Sequence, residues 1–202
     1  MADISIQLIK ILREKTGAGI TDCKKALEES SGDEKIAIDR LRQKGLSRVA
    51  KRAGRATSEG IIGSYIHSTG KIGVMVEVKC ETDFVARSDK FQEFAKNVAM
   101  QIAATSPICV SFEQLSQEAL ERDKAIYRQQ ALDQGRPEKI IDKIVEGRMV
   151  KYFEEVCLLE QSFIKDDSIK IKDLLNQLIA VLGENIQIGR FTRMQLGEKT
   201  VV

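Results

Sequence analysis

EGIIGSYIHSTGKIGVMVEVKCE, residues 59–81, is where the periodicity of this chain changes. Ile72, Val74, Val76 and Val78 alternate with small or polar residues, so they share one face of an extended strand. The Thr69-Gly70 pair before them reads as the turn of a hairpin whose first strand is EGIIGSYIHS. The alternation runs through Cys80 and breaks at Thr82-Asp83-Phe84-Val85. In the next segment, SDKFQEFAKNVAMQIAAT (88–105), Phe91, Phe94, Ala95, Val98 and Ile102 fall on one helical stripe. Ser88 stands where an N-cap belongs, and Pro107 closes the helix. A hairpin followed by an amphipathic helix, with no βαβ alternation, predicts an α+β unit whose antiparallel sheet is packed by helices.

Toward the C-terminus, LSQEALERDKAIYRQQALD (115–133) reads as a helix ending before Gly135, and Arg136-Pro137 restarts one with proline in its first turn. That helix carries Ile140, Ile144, Val145, Met149 and Phe153 and is expected to continue through VEGRMVKYFEEVCLLEQSF (145–163). IKDLLNQLIAVLGE (171–184) is amphipathic and closed by Gly183, and NIQIGRFTRMQL (185–196) alternates as an edge strand.

Toward the N-terminus, Ile4, Leu8, Ile11 and Leu12 recur at helical spacing until Thr16-Gly17-Ala18-Gly19 interrupts them. Thr21 is read as the N-cap of DCKKALEES, which Gly32 ends. Asp33 caps EKIAIDRLRQK, with Ile36, Ala37 and Leu41 inward and Gly45 as the stop. Residues 1–55 hold 13 Lys/Arg against 8 Asp/Glu, whereas the remainder holds 19 against 22, so two domains are expected: a small three-helix bundle with a basic linker over 1–55 and the α+β core over 56–202. Seven basic residues and no acid lie between Arg40 and Arg55. That run is either a solvated connector or a phosphate-binding arm, the latter being how a small RNA- or ribosome-associated protein would use it.

Composition narrows the chemistry. The 202 residues are 43% apolar, enough for a core, and 32 Lys+Arg against 30 Asp+Glu leave a net charge of only +2, so no general nucleic-acid coat is expected. No run approaches the roughly 18 uncharged apolar residues of a membrane span, and the N-terminal MADISIQLIKILREK carries Asp3 and no cleavage signal, so a soluble, unprocessed chain is expected. Cys23, Cys80, Cys109 and Cys157 match no CxxC spacing and read as buried small hydrophobes in a reducing compartment. The lone histidine, His67, can build neither a His-rich metal site nor a triad. Ser68-Thr69-Gly70-Lys71 lacks the first glycine and the following helix of a phosphate-binding loop, and Gly17-Ala18-Gly19-Ile20 follows a helix instead of a strand. No catalytic signature remains, and a non-enzymatic role without a cofactor or metal of its own is expected.

The odd local feature is Phe84, an aromatic residue directly after a strand, beside Asp83 and ahead of a helix. Two readings stand: a core phenylalanine that staples the helix start, or an apolar wedge and a charge held out to a partner on a rigid junction.

Three segments in order, LREKTGAGITDCKKAL (12–27), ETDFVAR (81–87) and VEGRMVKYFEEVCLLEQSF (145–163), closely resemble the signature blocks of the translation elongation factor Ts family, the guanine nucleotide exchange factors of elongation factor Tu. The resemblance spans nearly the whole chain. It implies a ubiquitin-associated-like N-terminal bundle, an α+β core and a presented Phe84. It also implies that Thr82, Asp83, Phe84 and Val85 form an element that intrudes on the partner and disturbs its Mg2+ and GDP site. Arg13, Gly17, Gly19, Ile20 and Thr21 would then contact the partner's GTPase domain, and the basic run would be a linker helix. Longer members carry two related core subdomains and a protruding helical hairpin, whereas this chain has length for one core. A single core predicts a homodimer through a symmetric contact. The implied setting is the bacterial cytoplasm or an organelle derived from it, with no membrane and no specific nucleic acid as partner.

Overall fold

The computed structural model describes residues 4–198; Asp3, used above in reading the N-terminus, lies outside the described residues. In chain order the elements are α1 (Ile6–Thr16), α2 (Ile20–Glu29), α3 (Glu34–Arg52), β1 (Glu59–Ile66), β2 (Ile72–Cys80), α4 (Asp83–Ala86), α5 (Asp89–Thr105), α6 (Gln117–Asp133), α7 (Glu138–Val156), β3 (Ser162–Phe163), β4 (Asp166–Lys170), α8 (Ile171–Leu182) and β5 (Gln187–Gln195). N-terminal helices thus precede an α+β core with a small antiparallel sheet packed by helices. β1, β2 and β5 form that sheet in the order β1-β2-β5, which leaves β5 at an edge, and β3 and β4 form a separate antiparallel pair. The described residues gather into two compact units, 4–61, 78–94 and 174–187 in one and 62–77, 95–173 and 188–198 in the other.

In the first unit the bundle closes on Ile9, Leu12, Cys23, Ala26, Leu27 and Ala37, with Ile4, Leu8, Ala18, Ile38 and Leu41 packed around them. Ser5 caps α1 by accepting from the Leu8 amide, and Asp33 caps α3 by accepting from the Ile36 amide. Three expectations need correction. Thr21 is not an N-cap: Gly19 takes that position with no side-chain bond, and α2 begins at Ile20. Ile36 is exposed while Ala37 beside it is fully buried, because the stripe of α3 that meets the other two helices runs through Ala37 and Leu41. Gly45 does not stop α3, which runs on to Arg52. A glycine inside a helix costs about 1 kcal/mol against alanine, but here a Cβ at Gly45 would stand 3.5 Å from the Ala180 Cβ, so its absence lets α8 approach. The basic run is therefore largely helical, as a linker helix would be.

The hairpin forms as expected: the His67 amide donates to the Ile72 carbonyl, and Gly70 turns the chain at a φ of +67°. Val74, Val76, Val78 and Cys80 are all buried, as are Phe91, Phe94, Ala95, Val98 and Ile102 on α5. Within the second unit, a Cβ at Gly63 would lie 3.1 Å from the Ala95 Cβ and carbonyl oxygen, so that glycine sets how closely β1 meets α5. α6 and α7 pack as a helical hairpin over Ala131, Ile141, Val145 and Met149. On α7 Ile141 is fully buried while Ile140 beside it is exposed.

α7 ends at Val156 instead of continuing to Phe163. The extended backbone of Cys157 pairs with that of Cys109 in an isolated parallel β-bridge, and Gln101, buried in α5, receives the chain that follows. Its amide nitrogen donates to the Gln161 side chain (3.2 Å) and the Ser162 carbonyl (3.0 Å), and its oxygen accepts from the Ile164 amide (2.9 Å). These bonds hold the β3–β4 pair, which periodicity did not reveal because β3 is two residues long.

Candidate functional site

β2 delivers the chain to the Thr82–Val85 segment at a buried residue, Cys80, whose thiol donates to the Thr82 carbonyl (3.1 Å). Thr82 is extended and caps α4, its hydroxyl oxygen accepting from the Val85 amide (3.4 Å). α4 is a single turn, closed by the Ala86 amide on the Thr82 carbonyl (3.2 Å) and the Arg87 amide on the Asp83 carbonyl (3.1 Å). Ser88 stands at the cap position expected of it, but its hydroxyl turns back to donate to the Val85 carbonyl (2.7 Å). The segment is therefore a hydrogen-bonded helical turn between a strand and a helix.

One side chain of that turn, Ala86, is buried and anchors it; Phe84, two residues earlier and so on the opposite side of the turn, points outward and is 82% exposed. No large apolar side chain among the described residues is more exposed. The core-staple reading of Phe84 is thus set aside, since the ring takes no part in this protein's interior. Asp83 pairs with Arg87 (3.0 Å), an exposed i,i+4 contact worth only a few tenths of a kcal/mol. Its carboxylate is free to exchange that partner for another.

The base of the turn is held from a distant part of the chain. One oxygen of the Glu184 carboxylate accepts from the amides of Glu81 and Thr82 (both 3.0 Å), and the other accepts from the Thr82 hydroxyl (2.6 Å). Glu81 in turn accepts from the Asn185 amide (2.6 Å), and the Asn185 side chain donates to the Arg55 carbonyl (2.7 Å). Neither Glu184 nor Asn185 was a sequence candidate; both lie about a hundred residues from the turn, and a lone acid after a helix-ending glycine carries no signal.

The second group of candidates lies around the α1–α2 junction. Arg13, Gly17, Gly19, Ile20 and Thr21 are all exposed, Ile20 to 57%. Gly17 ends α1 in the left-handed region at a φ of +66°, its amide on the Arg13 carbonyl (2.8 Å). A Cβ there would also stand 3.0 Å from the Val181 Cγ2, so both backbone and space call for glycine. Ile20 is the apolar point of this patch, and both candidate groups belong to the first unit.

The basic run is substantially neutralised within the protein. Lys44 and Arg48 both bond Asp22 (2.8 Å each), Arg40 bonds Glu29 (3.0 Å) and Arg55 contacts Glu81 (3.4 Å). The Lys44 hydrogen bond, with Arg48 beside it, holds the Asp22 carboxyl below the usual carboxylate range against the opposing effect of burial. All four cysteines are free and buried. Burial pushes Cys80 up to about 11 and Cys157 up to about 12, the latter helped by Cys109, whose sulfur lies 3.5 Å away. Neither is a thiolate at neutral pH. His67 is exposed, its ring nitrogen 3.3 Å from the Tyr65 hydroxyl. Among the described residues no cluster of three or more His, Cys, Asp or Glu could hold a metal ion, and no helix is long and apolar enough to cross a membrane.

Residues 16–198 match the family model described as Elongation factor TS. The chain is 63% identical over 198 residues to Elongation factor Ts of Solidesulfovibrio magneticus, covering 98% of this chain and 99% of that one. It is 65% identical over 194 residues to Elongation factor Ts of Nitratidesulfovibrio vulgaris, with 96% and 97% covered. Against Elongation factor Ts of Thermotoga petrophila it is 56% identical over 196 residues, with 97% and 98% covered.

Proposed function

The chain belongs to the elongation factor Ts family of translation elongation, and on that premise we propose that it binds elongation factor Tu carrying GDP and promotes release of the nucleotide. The observation that carries the reading is Phe84, a large apolar side chain held outside the protein's own core on a turn bonded at both ends. Leaving a phenylalanine in water forgoes about 1.5–3 kcal/mol of burial, which a partner's interior restores when the ring enters it.

A GTPase that holds GDP and Mg2+ with a dissociation constant of about 1 nM stores about 12 kcal/mol in that complex. An exchange factor lowers this by binding the nucleotide-depleted form more tightly, and the coupling is reciprocal. In this chain Phe84 is the wedge and Asp83 the charge. A carboxylate brought near the partner's Mg2+ site disturbs the largest local positive charge that holds the phosphates. Thr82 and Val85 shape the turn, while Arg13, Gly17, Gly19, Ile20 and Thr21 grip the GTPase domain. The Mg2+ and GDP acted on belong to the partner; the factor supplies no cofactor and no covalent chemistry, and it works in the bacterial cytoplasm.

A homodimer completes the proposal. Ile62 and Ile66 on β1, Met75 on β2, Met194 on β5 and Leu196 just beyond it are all exposed apolar side chains of the second unit. An apolar sheet face suits a self-complementary contact with a second copy. The pairing of the basic run with acids of the same protein leaves it less suited to an RNA backbone.

Calorimetry tests the exchange reading. The chain should bind nucleotide-free elongation factor Tu at least tenfold more tightly than the GDP-bound form, and GDP affinity should fall by the same factor when the chain is bound. Equal affinity for the two forms would refute it.

A further inference from the structure

Glu184 directly follows Gly183, the left-handed residue at a φ of +79° that ends α8. Its carboxylate receives three hydrogens from the two residues that open the Asp83–Phe84 turn: the Glu81 amide, the Thr82 amide and the Thr82 hydroxyl. Donors to a charged acceptor make the stronger class of hydrogen bond. The amides of Glu81 and Thr82 lie past the last residue of β2, and within α4 the first turn leaves its leading amides without helical partners. Glu184 therefore does for this junction what neither the strand nor the helix can do. The Thr82 hydroxyl donates to Glu184 and accepts from Val85, so one side chain relays the clamp into the turn. The contact is reciprocal, because Glu81 accepts from the Asn185 amide.

The same end of α8 also underlies the other candidate patch. The Val181 Cγ2 stands 3.0 Å from where a Gly17 Cβ would be, and the Ala180 Cβ stands 3.5 Å from where one would be on Gly45 of α3. Glu184 is thus three residues along the chain from Val181, the side chain that stands against Gly17.

We propose that Glu184 is a positioning residue for nucleotide exchange: its carboxylate fixes the direction in which Phe84 is presented and ties that turn to the end of α8 that stands against Gly17 at the α1–α2 junction. The inference rests on the exchange reading above. Glu184 itself need not touch the partner. Its contribution is to remove the freedom of the turn before binding, so that the ordering cost is not met at the moment the ring enters the partner.

The test is a double-mutant cycle on the release of fluorescent GDP from elongation factor Tu, using the full chain as wild type, Phe84→Ala, Glu184→Ala and the double variant, with amide hydrogen exchange over residues 81–87 and thermal melting of each. Glu184→Ala should lower the second-order rate of stimulated release about tenfold, a size typical of coupled neighbouring sites. It should also speed exchange of the Glu81 and Thr82 amides, and the double variant should be no slower than Phe84→Ala alone, because without the ring there is nothing left to position. Glu184→Gln, which keeps one accepting oxygen but turns an NH2 donor toward the Thr82 hydroxyl, should fall between wild type and Glu184→Ala and covers the case in which the alanine variant fails to fold. Wild-type rates in both Glu184 variants, or losses that multiply in the double variant, would overturn the inference while leaving the wedge standing. Full activity in Phe84→Ala would instead overturn the exchange reading on which it rests.

Discussion

Phe84 and Asp83 are adjacent, exposed and held by the same turn, so experiment can separate wedge from charge. Asp83→Asn is nearly isosteric and deletes only the negative charge, and the Arg87 pair it breaks is weak. Stability should change by no more than about 0.5 kcal/mol. If the carboxylate acts on the partner's Mg2+ site, the variant should stimulate GDP release less than wild type when Mg2+ is abundant, and the gap should close when the metal is chelated. A deficit that is the same at every Mg2+ concentration removes the electrostatic part and leaves the wedge. At this scale the candidates were legible only with the family resemblance. The pattern alone left Phe84 open between core and surface, because the spacing of one aromatic residue at an element junction does not say which side of a turn it occupies. Glu184 was not legible at all, since its role exists only through bonds to residues 81 and 82.

Among the elements, α2 and α3 show how charges that look like a nucleic-acid arm can be structural. Asp22 on α2 holds Lys44 (2.8 Å) and Arg48 (2.8 and 3.3 Å, one to each carboxylate oxygen) on α3. Because the folded Asp22 carboxyl sits below its ordinary value, the pair contributes stability above the unfolded value of about 3.9 and loses it as pH falls through the lower folded one. Asp22→Asn should cost about 1–3 kcal/mol at pH 7, and denaturant melts should show the difference from wild type shrinking once pH drops below about 4. A difference independent of pH would mean the charge contributes nothing. RNA affinity of the wild type should likewise show no steep fall with salt. The hairpin and α5 were legible because alternation and helical spacing are strong signals over such lengths. The end of α3 was not, since Gly45 signals a stop locally and only the approach of Ala180 explains why the helix continues. β3 and β4 are too short to show any period, and a buried glutamine, Gln101, anchors the chain around them.

For the whole molecule, the α+β class followed from segregated strands and helices, but the interleaving of the two compact units did not, because strands and helices that each look continuous in sequence are divided between them. The sheet face of Ile62, Ile66, Met75 and Met194 leads to a prediction at this scale: sedimentation at micromolar concentration should give a dimer, and Met75→Lys with Ile66→Lys should give a folded monomer. A wild type that is monomeric throughout rules the dimer out. Whether the molecule empties the nucleotide site of its partner through Phe84, as proposed, is decided by the rate of fluorescent GDP release from elongation factor Tu, mixed rapidly with wild type or Phe84→Ala. Wild type should accelerate release by orders of magnitude, and Phe84→Ala should lose most of that acceleration while melting within about 1 kcal/mol of wild type. No acceleration by wild type, or a Phe84→Ala variant that destabilises by the roughly 3–5 kcal/mol of a core truncation, would contradict the account.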